Sequence, residues 1–226
     1  MRWIVSLVIV VGLCVPLSAY GSPSRPDAVL SSIVDEALAQ TSVHWTQDVF
    51  NGRGHRRWIS DVNTRSGKQW GYFDFPFAGG KVQEWLVNGV VYIRGNAAGL
   101  RDAIPLNKAQ AARGAGKWIL IPRRDAFYGE TSDGLTLASI VGDETASGDL
   151  KVVKTTVDGT RLIAVQEQGG WEASLAAPAS GAPLPLTFDE VLEPGVTLHG
   201  TFSKWNAAVK VVAPARSTPI SKVRSG

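Results

Sequence analysis

The sequence predicts an α+β fold in which a strongly curved antiparallel sheet wraps around helices that cover its concave face. Two observations predict the sheet. Short strand-like segments recur roughly every ten residues, and Asn-Gly or Asp-Gly pairs, the strongest short-range hairpin signal, separate several of them. A third observation predicts the helices, because one amphipathic segment precedes the strands and a second helical segment interrupts them. A long meander must close or cover its apolar face, and these helices are the available covers.

The N-terminal half predicts one helix and then a meander. Residues 26–40 predict the helix, since apolar side chains recur at helical spacing and Pro26 is tolerated in a first turn. Ser24 is the predicted N-cap. Short loops such as Asn51-Gly52 join the following segments into an antiparallel meander. Its predicted strands are 43–50, 56–62, 69–77, 82–87 and 90–94.

Helical and strand patterns alternate in the second half. Residues 99–113 predict a helical insert that Pro105 breaks or starts, and a short helix over 135–141 is predicted to have Ser132 or Asp133 as its cap. The predicted strands are 117–121, 150–157, 161–166, 171–176, 184–192, 197–204 and 209–212. We expect the two runs of strands to form halves of one continuous sheet.

The two ends of the chain differ from its body. Residues 1–21 predict a secretory signal peptide, because a basic start precedes an apolar stretch and small residues near the cleavage site. An uncleaved anchor is the alternative. Residues 22–212 contain no linker and predict a single domain, whereas 213–226, with two prolines and several serines, predict a flexible tail. We therefore expect an exported protein of the extracellular or periplasmic-type envelope space.

Charge and motifs argue against nucleic-acid binding and catalysis. The 23 Lys and Arg residues against 20 Asp and Glu give a net charge of +3, with no dense basic block. His44, His55 and His199 are dispersed, and no metal-binding or nucleophile motif occurs. The sequence therefore predicts no nucleic-acid partner, no metal, no cofactor and no catalytic centre.

Several short segments together resemble a known family. They are a tyrosine strand at 91–95 (VYIRG), a Lys-Trp strand at 116–119 (GKWI), 202–206 (FSKWN), a Val-x-Val at 209–211 and Pro214. This order resembles the LppX/LprG-type lipid-carrier lipoproteins, within the group with a LolA-like half-barrel. The resemblance implies an open half-barrel that encloses acyl chains. Such relatives are usually lipoproteins, whereas here Leu13 rather than a small residue precedes the sole cysteine, Cys14.

Aromatic and aliphatic side chains are the candidate ligand contacts. Phe73, Phe75 and Phe77 are predicted to share one face of a strand, and Trp85 and Val87 share a face of the next. Flat apolar side chains suit acyl chains, although an ordinary packed core gives the same pattern. The predicted ligand-binding residues are Trp45, Trp58, Phe73, Phe75, Phe77, Trp85, Val87, Tyr92, Leu137 and Ile140.

Two functions follow from this reading. The first is a monomeric carrier that holds a lipid or another hydrophobic molecule inside the half-barrel, with an envelope transport protein or a membrane surface as a further partner. The second is a non-catalytic interaction or sensor module of the envelope, which uses the same fold with a packed interior. A continuous aromatic-lined cavity favours the carrier, and a filled interior favours the module.

Overall fold

Twelve strands form one sheet in the computed structural model, which describes residues 25–142, 149–157, 160–168 and 173–225. Every neighbouring pair is antiparallel except β12 with β6. The strands are β1 Ser42–Asn51, β2 Gly54–Asn63, β3 Gly67–Phe73, β4 Gly80–Val87, β5 Val90–Gly95, β6 Ile119–Pro122, β7 Asp149–Val157, β8 Thr160–Gln168, β9 Ala173–Pro178, β10 Thr187–Glu193, β11 Val196–Ser203 and β12 Thr218–Pro219. The sheet is curved and unclosed, so the predicted fold class is confirmed.

Pairing of β1 with β11 joins the two meanders. The strand order across the sheet is β12-β6-β5-β4-β3-β2-β1-β11-β10-β9-β8-β7. Trp45 of β1 lies opposite Phe202 of β11 at this junction. The prediction that both runs of strands form one continuous sheet is therefore confirmed.

Six short helices accompany the described strands. They are α1 Pro26–Leu38, α2 Ala97–Ala103, α3 Lys108–Gly114, α4 Tyr128–Ser132, α5 Leu137–Gly142 and α6 Ile220–Arg224. Pro105 separates α2 from α3 as the sequence predicts, and Asn107 and Gln110 form a capping box at the start of α3. Arg25 occupies the N-cap of α1 without a side-chain hydrogen bond, and the predicted cap Ser24 lies outside the described residues.

Two apolar clusters pack on the inner face of the sheet, which is the face that the helices cover. The first cluster joins Ile33 of α1 and Leu137 of α5 to Val43 of β1 and to the C-terminal meander. The second joins Leu100 of α2 and Ile119 of β6 to α3, α6 and strands β3 to β5. We call the opposite side of the sheet the outer face.

Some predicted elements differ from the structure. Strand β3 ends at Phe73 rather than at residue 77, because Pro76 cannot donate a ladder hydrogen bond. Helix α5 begins at Leu137, and its cap is Thr136, whose Oγ1 accepts the Ser139 N–H at 3.1 Å. The predicted strand 209–212 is wrong, since these residues belong to no strand or helix.

The prediction of a flexible tail over 213–226 is also wrong. Thr218 and Pro219 form β12 beside β6, and α6 follows at once. Ile220 and Val223 are buried in the second cluster because they lie three residues apart on one side of α6. The chain end is therefore part of the folded body.

The N-terminal prediction stays open to test. The predicted signal peptide, residues 1–21, and Cys14 within it lie outside the described residues. In the part of the chain that the structure describes, no helix has the length and apolarity needed to cross a bilayer.

Candidate functional site

Strand register aligns one residue from each of six adjacent strands across the inner face. The line runs Phe202, Trp45, Ser60, Gln69, Glu84 and Ile93. Its ends are apolar and belong to the two clusters, whereas its centre is polar. A polar row therefore lies at the middle of the sheet, between the two apolar clusters.

Hydrogen bonds connect the polar row into a chain. The Ser60 hydroxyl donates to Gln69 Oε1 at 3.2 Å, and Gln69 Nε2 donates to Glu84 Oε2. Glu84 is only 3% exposed, and no hydrogen bond from any described residue reaches its other oxygen, Oε1. Burial raises the pKa of Glu84 from 4.5 to about 8; the Gln69 hydrogen bond opposes this rise and the nearby Asp102 carboxylate adds to it. Glu84 is therefore mostly protonated at neutral pH.

An ion pair lies beside this chain. Arg56 of β2 donates from Nη2 to Asp102 of α2, whose side chain is 4% exposed. The Arg56 guanidinium lies over the ring of Phe73 at 5.0 Å and that of Phe75 at 5.7 Å. Burial raises the pKa of Asp102, although the charge and the hydrogen bond of Arg56 oppose the rise. The pair links α2 to the inner face of the sheet.

These groups surround a pocket of about 260 Å³. Its lining consists of Trp45, Gln47, Arg56, Trp58, Ser60, Gln69, Glu84, Asp102, Ala103, Glu130, Asp133 and Gly134. Glu130 and Asp133 are exposed and mark its mouth, whereas Glu84 and Gln69 are buried at its base. Two tryptophans and several hydrogen-bonding groups thus converge on one small pocket, which is typical of a binding site. We call it the concave pocket.

Two glycines on the inner face make room for the pocket's tryptophans. A Cβ built on Gly200 would lie 1.8 Å from Cη2 of Trp45, and one on Gly71 would lie 2.6 Å from Cζ3 of Trp58. Both rings therefore lie directly against the backbone of a neighbouring strand. Glycine is required at these two positions because of close approach rather than for a turn.

We expect Gly200→Ala to destabilise the fold by about 1–3 kcal/mol, because the methyl group must displace the Trp45 ring from a packed position. Denaturant unfolding measures the change. Gly52→Ala is the matched control, since a Cβ there meets no atom within 4 Å. Equal losses of stability in both variants would show that Trp45 does not pack on Gly200 as described.

Comparison with known proteins identifies the architecture around the pocket. No protein-family model matches the sequence, and no curated protein matches it. The crystal structure of LprF from Mycobacterium bovis superposes with a TM-score of 0.54 at 16% identity, covering 87% of this chain and 100% of that one. The lipoprotein LppX from Mycobacterium tuberculosis gives 0.50 at 14% identity, covering 82% of this chain and 99% of that one. The chain has the fold of LprF and LppX.

The likeness to LprF and LppX confirms, for the fold, the resemblance noted in the sequence. On this LprF-like fold, five of the predicted ligand-binding residues are attached to the inner face or its covering helices. Trp45 and Trp58 line the concave pocket. Phe73 is buried in the second cluster, and Leu137 and Ile140 are buried in the first.

Phe75 and Phe77 do not share a strand face with Phe73. They follow the end of β3, where the chain turns at Pro76. Phe77 stacks under the Arg101 guanidinium at 4.0 Å. The predicted row of three phenylalanines is therefore wrong.

Trp85, Val87 and Tyr92 lie on the outer face. Alternation decides this placement, because Glu84 and its strand neighbours at even positions point toward the helices. Trp85 packs against Trp118, with ring centroids 4.2 Å apart. The prediction that these three residues share one site with Trp45 is wrong, since the sheet separates them from it.

The outer face has a larger but more open groove of its own, about 570 Å³ in volume. Its lining includes Trp70, Tyr72, Lys81 and Arg94. None of the ten predicted residues lines it. No chain of buried hydrogen bonds comparable with that of the concave pocket accompanies it among the described residues.

The outer face also holds all three histidines, each paired with an aspartate. The pairs are His44–Asp61 at 2.7 Å, His55–Asp48 at 2.6 Å and His199–Asp189 at 2.6 Å. Among the residues that the structure describes, no three metal-ligating side chains come together.

Sequence reasoning missed the polar half of the site. Arg56, Ser60, Gln69, Glu84 and Asp102 were not among the predicted contacts. One signal was present: Val82, Glu84 and Leu86 alternate in β4, so a glutamate occupies the apolar register of a strand. A polar residue in such a register is a candidate for a site, because burying a polar side chain costs free energy that an apolar residue at the same position would not cost.

Proposed function

We propose that the chain is an exported, non-catalytic envelope protein that binds and carries an amphiphilic, lipid-like molecule on the concave face of its half-barrel. The concave pocket is the single observation that supports this most strongly. Trp45 and Trp58 provide apolar surface there, and Gln69 and Glu84 provide hydrogen-bonding groups at the base. The fold shared with the lipoprotein LppX is compatible with such a role but does not establish it.

The volume and polarity of the concave pocket favour an amphiphile over a wholly apolar ligand. About 260 Å³ is below the usual range for drug-sized ligands, roughly 300–1,000 Å³, and suits a polar end group. An attached apolar chain would lie between α5 and the sheet, where Leu137 and Ile140 now pack. Ligand uptake would therefore separate α5 from the first cluster.

The proposed location follows from the N-terminal sequence. A basic start and an apolar stretch within residues 1–21 direct a chain to export, and the chain then works outside the cytoplasm. A carrier in that space needs a donor and an acceptor for its ligand, which are a membrane surface or an envelope transport protein.

Filling the concave pocket with a bulky side chain tests the proposal. We expect Ala103→Trp to weaken uptake of a single-chain lysophospholipid at least tenfold, because Ala103 lines the pocket from α2. Native mass spectrometry of the mature protein, mixed with the lysolipid below its micellar concentration, measures the bound fraction. Ala112→Trp on the exposed side of α3 is the matched control and should bind as the wild type does.

A second candidate function has one observation in its favour. Leu137 and Ile140 are 1% and 5% exposed, so the first cluster is filled as described, and such a domain can serve as an interaction or sensor module. If the wild-type protein retains no lipid from its host and takes up no lysolipid, the module becomes the better interpretation. Equal uptake by wild type and Ala103→Trp would place the ligand elsewhere.

A further inference from the structure

Carboxyl groups outnumber basic groups around the concave pocket. The charged or chargeable side chains in its lining are Arg56, Glu84, Asp102, Glu130 and Asp133. Arg56 is the single cation among them, and it is already paired with Asp102. The remaining three carboxyl groups have no basic partner in the described part of the chain. The pocket therefore has the charge character of a cation site.

Glu84 is the residue in the pocket that can accept a hydrogen bond from a cationic group. Its Oε2 accepts from Gln69, whereas Oε1 has no hydrogen-bond partner although the residue is only 3% exposed and lines the pocket. Because no described side chain donates to Oε1, this oxygen can accept a hydrogen bond from a ligand in the pocket. Trp45 and Trp58 line the same pocket, and the face of an indole ring attracts a cation.

We infer, on the basis of the carrier function proposed above, that the concave pocket binds the ammonium end of a cationic amphiphile, with Glu84 as its hydrogen-bond acceptor. A primary ammonium group has three donors and one positive charge, which match the free Glu84 oxygen and the aromatic walls. An anionic end group would meet the exposed carboxylates of Glu130 and Asp133, and its one cationic contact in the lining would be Arg56, whose Nη2 is held by Asp102 and whose Nε has no partner. A hydroxyl group would satisfy Oε1 but would gain nothing from the charge.

Binding of a cation should release a proton. Burial raises the pKa of Glu84 to about 8, so roughly nine-tenths of the molecules are protonated at pH 7. An ammonium group in the pocket favours the ionised form and lowers that pKa. The other charged groups that face the pocket are Arg56 on β2, Asp102 on α2, Glu130 on α4 and Asp133 just after α4. Affinity should therefore rise with pH up to about pH 8, where Glu84 is already ionised.

Three probes with one chain length and different end groups test the assignment. Isothermal titration calorimetry at pH 7 compares decylammonium and decanoate, each below its micellar concentration, with 1-decanol below its solubility limit. We expect decylammonium to bind at least tenfold more tightly than either of the others. Titrations in two buffers of different ionisation enthalpy should show release of close to one proton, which disappears at pH 9.

Glu84→Gln separates the end-group assignment from the carrier function. We expect the variant to lose the preference for decylammonium and the proton release, while it still binds decanol. Glu193→Gln, which removes one exposed carboxylate of β10, should behave as the wild type. Equal affinity for decanol, tighter binding of decanoate or an unchanged preference in Glu84→Gln would overturn the assignment and leave the carrier function standing. No binding of any probe would overturn both.

Discussion

Replacing Glu84 by Gln should remove most of the decline in stability that we expect in the wild type between pH 5 and pH 8. The native state keeps Glu84 protonated up to a pKa of about 8, whereas the unfolded chain ionises it near 4.5. Between these values the native state binds one proton more than the unfolded state. The contribution of Glu84 to stability is therefore full below pH 4.5 and is lost as pH rises toward 8, by about 1.4 kcal/mol per pH unit. The decline ends once the native carboxyl group has itself ionised.

Urea unfolding of wild type and Glu84→Gln at pH 5, 6, 7, 8 and 9 measures this effect. The free energy of unfolding of the variant, minus that of the wild type, should grow from pH 5 to pH 8 and then stay level. Taking the difference cancels the contributions of all other groups, because both proteins contain them. Parallel curves for the two proteins would mean that Glu84 is ionised in the native state.

The fold could be predicted from the sequence because its signals are local. Turn pairs such as Asn51-Gly52 lie between alternating segments, and each hairpin joins strands adjacent in the chain. Phe75 and Phe77 were misplaced because aromatic alternation was extended past Pro76, although a residue without an N–H was the evidence for a strand end. The end of a strand thus depends on backbone donors as much as on side-chain pattern.

The site could be predicted only in part because it depends on contacts between distant segments. Trp45 and Trp58 were found because bulky aromatics are visible in any strand. The chain Ser60–Gln69–Glu84 arises from the register of three strands, and α2, which packs on β3 and β4, contributes Asp102 and Ala103 to the same pocket. Alternation alone places Glu84 on the inner face, but burial and the resulting pKa need the covering helix.

The packing of the C-terminal segment also depends on contacts with distant residues, which the sequence pattern did not reveal. Disrupting this packing should cause the second large loss of stability. Val223→Asp should destabilise the protein by roughly 3 kcal/mol or more, because it places a charge without a partner in the second apolar cluster. Val223 is 3% exposed, and its carbonyl accepts hydrogen bonds from Arg113 Nε at 3.3 Å and Nη2 at 2.9 Å. Thermal and urea unfolding of the variant measure the loss.

Lys222→Asp is the matched control, since Lys222 is exposed on the same helix and receives the same new side chain. It should change stability by less than about 0.5 kcal/mol. The residue after Val223, Arg224, also ties α6 to the body of the protein, since it donates two hydrogen bonds of 3.0 Å to Asp125. Burial alone would raise the pKa of Asp125. These two bonds, the Phe127 N–H and the charge of Arg224 instead hold that pKa below its usual value. If Val223→Asp were as harmless as Lys222→Asp, α6 would not be packed on the sheet in solution. A large loss in Val223→Asp alone requires that the chain end closes the second cluster, because a mobile tail tolerates either substitution.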